Sequence, residues 1–203
     1  EDPFEYRGVR EYQPYDDMRS INWKASAKTG DWKVNQKNCT ALQTVRLFFN
    51  IEDSGILKKD AMVEASIQII AGLAAFFLNQ GIRVSCYGNG RDILNGEPVH
   101  IEAGAGAGQM EQIYRALARI DTNLKTADFT SCFERELMKA STGITTVFVS
   151  PNAYENFTGL LRRFRLSGQE CLWFYPVPDT EKQMPELPEE WKKDIRILHI
   201  AQR

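Results

Sequence analysis

The chain has 203 residues, 43% of them hydrophobic and 26% charged, and its formal net charge is −2. That balance argues against a generally basic nucleic-acid binder. A chain of this length can bury a core that holds its fold without disulfides or bound metal. In chain order, the first 44 residues are polar, carry Trp23, Trp32 and several arginines, and read as a lead-in segment (1–44) that packs on an α/β body (45–203).

Val45 to Ile51 is a short apolar run rich in strand formers. Residues 58–80 follow with apolar positions Met62, Ala65, Ile69, Leu73 and Phe76 at spacings of three and four, which predicts a helix. Its second half is apolar on nearly all sides and is expected to be largely buried. Gly81 stops it, as glycine does at helix C-termini. Ile82 to Tyr87 is the next strand, with a Gly-Asn-Gly turn at 88–90 after it. Pro98 to Ile101 is a short strand expected to pair antiparallel with its predecessor.

Residues 109–120 and 128–140 read as helices, the second with Asp128 or Thr130 as its cap. Ile144 to Val149 is a β-branched strand, 153–166 a helix, and Glu170 to Tyr175 a strand. An acidic, proline-bearing loop runs to about residue 190, and Ile195 to Ile200 is the last strand. Alternation of this kind predicts a mostly parallel sheet with helices on both faces, a Rossmann-like α/β class. Ligands of such sheets bind beyond the carboxyl ends of the strands, which directs attention to the residues after Phe49, Val149 and Tyr175.

The chemistry-bearing motifs are few. Gly104, Gly106 and Gly108 are followed by Gln109 and Met110, where a phosphate-binding loop needs Lys and Ser or Thr, so they read as a flexible loop. Ser54 and Ser150 stand in no nucleophile elbow, and neither His100 nor His199 is placed to serve them. Cys39, Cys86, Cys132 and Cys171 fall in no metal-ligand or paired spacing, which points to a reducing compartment with no disulfide framework. The longest apolar run, Ile69 to Leu78, is too short to span a bilayer. Arg162, Arg163 and Arg165 read as a solvated helix face. Glu52 and Asp53 stand just past the first strand of the body. They could serve acid–base chemistry or hold a divalent cation through oxygen ligands, or they are a solvated loop that caps the next helix.

The most distinctive text runs from Arg7 to Gly30 and interleaves both signs of charge with aromatics. Arg10 and Arg19 are candidates for bidentate pairs with Glu11, Asp16 or Asp17, and Ile21 and Trp23 for anchors. This stretch resembles the signature of the bacterial "domain of unknown function 58" family in Arg7, Arg10, Glu11, Tyr12, Pro14, Asp16, Asp17, Arg19, Ile21, Trp23, Lys24, Ala25, Ser26, Ala27 and Gly30. Tyr15 and Lys28 depart from its usual glycine and arginine. The resemblance implies that a von Willebrand A-like domain follows. Such domains hold Mg²⁺ through a D-x-S-x-S loop, a threonine and a later aspartate, and a partner's acidic group completes the coordination.

Carried over position by position, Asn50 replaces the first aspartate, Glu52 replaces the first serine, Ser54 matches, Thr126 stands for the threonine and Ser150 replaces the later aspartate. Loss of both aspartates removes the charges that would centre a hard cation. The expectation is therefore a degenerate site that binds a protein partner without a cofactor, formed by Asn50, Glu52, Asp53, Ser54, Thr126 and Ser150, with no enzymatic activity. The alternatives are a Mg²⁺-dependent adhesion-type site with altered ligands and a hydrolase using Glu52 and Asp53. The resemblance further implies a MoxR-type AAA+ ATPase as partner. It also implies membrane association through segments upstream, which would make this the cytoplasmic part of an anchored protein.

Overall fold

A computed structural model describes residues 4–13, 18, 21–39, 44–52, 60–139, 143–169, 171–179 and 193–200. The chain divides into two compact units, Glu1–Gln43 and Thr44–Arg203. In the first, strand β1 (Phe4–Glu11) pairs antiparallel with β2 (Lys33–Cys39), and helix α1 (Trp23–Thr29) lies between them in sequence.

The signature residues explain this local structure. Asn22 caps α1 by accepting from the Ala25 N–H at 2.9 Å, as helix N-termini require. Gly30 closes the helix in the left-handed region at φ 82°. The Ser26 hydroxyl accepts from the Lys33 N–H at 2.9 Å and so stitches α1 to β2. Ile21 is buried and bridges Val34, whereas Trp23 is 67% exposed. Tyr12 meets Trp32 edge-on at 5.5 Å, and Glu11 pairs with Lys33 at 3.3 Å. The expected pairs of Asp16, Asp17 and Arg19, together with Pro14, lie outside the described residues.

The second unit is a six-stranded sheet in the order β5-β4-β3-β6-β7-β8. Its strands are β3 (Thr44–Phe49), β4 (Arg83–Arg91), β5 (Pro98–Gly104), β6 (Ile144–Val149), β7 (Cys171–Pro178) and β8 (Ile195–Ile200). All neighbours are parallel except the β4–β5 pair, which is antiparallel as expected. Helices α2 (Asp60–Asn79) and α3 (Gly106–Ala118) cover one face, where Leu47 and Phe49 pack with Ile70, Ala74, Leu78, Ile113 and Leu117. Helices α4 (Phe129–Met138) and α5 (Glu155–Leu166) cover the other, where Phe48, Phe148 and Trp173 pack with Phe133 and Phe157. Alternate residues of one strand thus feed opposite layers, as a doubly covered sheet requires. Phe48 stacks between Tyr87 and Phe148 of the adjoining strands, with centroids at 4.8 and 5.5 Å.

Three local readings change. The glycines at 88 and 90 do not make a turn, because β4 runs on to Arg91. A Cβ at Gly88 would enter the ring of Phe49, and one at Gly90 would crowd Ile51 and Ile120. These glycines therefore serve close packing. The chain reverses later, where Asp92 Oδ1 accepts from the Leu94 N–H at 2.8 Å and Gly96 takes φ 72°. The glycine-rich stretch is not a loop either: Gly104 ends β5 and Gly106, at φ 77°, opens α3. Finally, only 39% of α2 between Ala61 and Asn79 is buried, although that helix is apolar enough in length and composition to cross a membrane.

Candidate functional site

The parallel ladder carries three side chains to one row, just beyond the ends of β3 and β6 and within the longer β4. Phe49 is in register with Gly88 of β4 and Val149 of β6, so the following residues, Asn89, Asn50 and Ser150, stand side by side. Backbone bonds continue the ladder there, from Asn50 N–H to Val149 O at 2.9 Å and from Ser150 N–H to Phe174 O at 3.1 Å. All three side chains are buried, at 0%, 1% and 0% exposure, so each polar atom in the row needs a partner.

Most find one. Asn50 Oδ1 accepts from Asn89 Nδ2 at 2.7 Å and from the Glu52 N–H at 3.0 Å. Asn89 Oδ1 accepts from the Ile51 N–H at 2.9 Å. Each amide faces a backbone N–H, which only an oxygen can accept, so the orientation of both is set by chemistry. Asn152, 8% exposed, donates through Nδ2 to Glu52 O at 2.5 Å. Glu52 is therefore clamped at its N–H by Asn50 and at its carbonyl by Asn152. Ser150 Oγ donates to Asn152 O at 3.0 Å, and the Trp173 indole N–H donates to Ser150 O at 3.2 Å.

Among the described residues, three buried atoms around this clamp have no hydrogen-bond partner: Asn50 Nδ2, Asn152 Oδ1 and Glu52 Oε2. Glu52 itself is half-buried. It is the only charged residue among those that the clamp's described hydrogen bonds join.

The sequence-derived site residues therefore divide. Asn50, Glu52 and Ser150 come together. Thr126 is half-buried on a loop that the Ala127 N–H ties to Asn89 O at 2.9 Å, so it belongs to the same end of the sheet. Asp53 and Ser54 lie outside the described residues. Asn89 and Asn152 were missed. The first was hidden in a Gly-Asn-Gly sequence that reads as a turn. The second follows Ser150-Pro151, and only the return of this loop towards Glu52 reveals it.

These donors do not fit the cation that the family signature implies. A dication needs charged, unoccupied oxygens. The one oxygen of Asn50 already accepts two N–H groups, and its remaining polar atom is a nitrogen. Among the described residues, no three His, Cys, Asp or Glu side chains are grouped to hold a metal. Burial pushes the thiols of Cys86 and Cys171 up to about 12, so neither is a thiolate near neutral pH. The arginines of α5 stay on its outer face, with Arg163 paired to Glu134 and Arg165 to Asp194.

A solved structure similar to this chain is "von Willebrand factor type A from Catenulispora acidiphila", at 14% identity and a TM-score of 0.49, covering 82% of this chain and 40% of that one. The chain thus spans about two fifths of that protein's length. No curated protein matches it in sequence. The model of the family described as "Protein of unknown function DUF58" matches residues 8–169, which hold the helix-capping signature, the sheet row and its amide clamp, and the chain belongs to that family.

Proposed function

We propose that this chain is a non-enzymatic protein–protein interaction module that acts as an adaptor without a metal ion. Its contact surface is the carboxyl end of the sheet, around the residues that follow β3, β6 and β7. Asn50 carries this reading. It stands where the family resemblance implies a metal-holding aspartate, and its oxygen is already saturated by Asn89 and the Glu52 N–H. A site built this way uses a buried amide network to hold the half-buried Glu52 in a fixed position for whatever docks there. A MoxR-type AAA+ ATPase is the partner implied by the family resemblance, and membrane attachment through other segments is consistent with it.

Affinity capture on the whole chain tests the proposal. A partner retained by the wild type in EDTA and lost with Asn152→Ala supports it. Retention that is indifferent to Asn152→Ala and Asn50→Ala would remove this face from consideration. A metal-dependent reading draws on one observation, the two buried acceptors Glu52 Oε2 and Asn152 Oδ1. Calorimetric titration with Mg²⁺, Mn²⁺ and Ca²⁺ discriminates: heat at millimolar cation would favour it, and its absence the metal-free surface.

A further inference from the structure

The atoms left over by the clamp indicate what kind of partner group would complete it. Asn50 and Asn152 are at least nine-tenths buried, and each spends one half of its amide on the Glu52 backbone. What remains is one donor, Asn50 Nδ2, against two acceptors, Asn152 Oδ1 and the carboxylate oxygen Glu52 Oε2. A buried carboxylate oxygen without a donor is costly, and a charge-assisted bond to it recovers more than a neutral one. The excess of acceptors calls for a group rich in N–H, and the negative charge calls for a cation. Lysine and arginine side chains supply both, with three and five donors and no acceptor.

We infer that the partner inserts a lysine or arginine side chain at Glu52, so that a protein cation takes the place of a metal ion at the end of β3. This rests on the proposed reading of the face as a contact surface, and it reverses the charge of the docking group. A metal-bearing domain draws an acidic group through its cation, whereas this site offers its own acid. An acidic partner group would meet the Glu52 carboxylate, the one charge that the described hydrogen bonds of the clamp reach, and would leave both acceptors unfilled. Arginine's planar fork suits two acceptors held by separate elements, while lysine reaches them as a point charge.

The test uses the ¹⁵N-labelled whole chain at low salt. It is titrated with Nα-acetyl-lysine methylamide, the arginine counterpart, and the glutamate counterpart with and without Mg²⁺. The expected result is saturable shifts of the Asn50, Asn89 and Asn152 side-chain amides with the basic probes alone. Glu52→Gln, which keeps shape and removes charge, should weaken that binding roughly tenfold, the size of one charge-assisted hydrogen bond. The absence of saturable shifts with the basic probes overturns the inference. So does equal binding to Glu52→Gln, or a response to the glutamate probe that requires Mg²⁺. The two readings fail separately. A captured partner that is lost with Asn152→Ala and indifferent to Glu52→Gln keeps the contact face and removes the cation. A partner indifferent to both removes the face.

Discussion

Asn50 and aspartate differ by one atom, and that atom determines the character of the site. In this chain Oδ1 holds Asn89 and the Glu52 N–H, while Nδ2 is buried without a partner. Asn50→Asp would keep both accepted bonds and turn the unpartnered nitrogen into a charged oxygen near Glu52. An uncompensated buried charge of this kind is expected to lower stability by about 3 kcal/mol. A thermal melt near neutral pH should show the loss, and Mg²⁺ should restore part of it in the variant while leaving the wild type unmoved. Loss without Mg²⁺ rescue would mean that the remaining ligands cannot form a cation site. The identities of Asn50, Glu52 and Ser150 were legible in the sequence. Their engagement with Asn89 and Asn152 was not, because residues 39 and 102 positions from Asn50 become neighbours only once the strands align.

The buried thiols make a second residue-scale prediction. Cys86 and Cys171 are pushed up to about 12 because burial disfavours the thiolate, against about 8.5 for an unperturbed thiol. The unfolded chain therefore loses these protons first as pH rises. Stability is whole below about pH 8.5 and is lost progressively towards about pH 12, with a slope of about 1.4 kcal/mol per pH unit for each thiol. Urea midpoints measured upward from about pH 8 should fall, and Cys86→Ala should fall with a shallower slope. A wild-type profile that stays flat to about pH 10 would contradict this account.

At the scale of elements, close packing explains what periodicity missed. β4 keeps its course through Gly88 and Gly90 because the rings and methyls of Phe49, Ile51 and Ile120 occupy the space a side chain would need. Gly88→Ala should therefore destabilise by about 1–3 kcal/mol through overpacking, read as a lower urea midpoint. Phe49→Leu should relieve part of that cost in the double variant and be destabilising alone, a non-additivity expected of touching residues. Helix α2 shows the opposite limit. Its spacing predicted a helix, and it is one, but a sheet covers only one side of a helix. Ile70, Ala74 and Leu78 turn inward, while Phe76 is 59% exposed and packs edge-on against Phe77 at 5.3 Å. Composition records that both sides are apolar and cannot say which side the sheet takes.

For the whole molecule, two units share one chain, and the larger carries both aromatic and aliphatic layers of core itself. A fragment beginning at residue 40 is expected to unfold in one cooperative step with urea, as followed by circular dichroism and by the fluorescence of Trp173 and Trp191. A non-cooperative profile would mean that this core depends on the residues before it.

Strand–helix alternation, the antiparallel β4–β5 pair and the family signature were all present in the order of residue types. Local periodicity and capping act over a few neighbouring residues, so the linear text retains them. Tertiary structure alone decided that Asn89, Asn50 and Ser150 form a row, that Asn152 returns to clamp Glu52, and that a donor and two acceptors are left over. Those relations arise from parallel register across strands far apart in the chain, and the direction each amide faces follows from which backbone N–H the fold places before it.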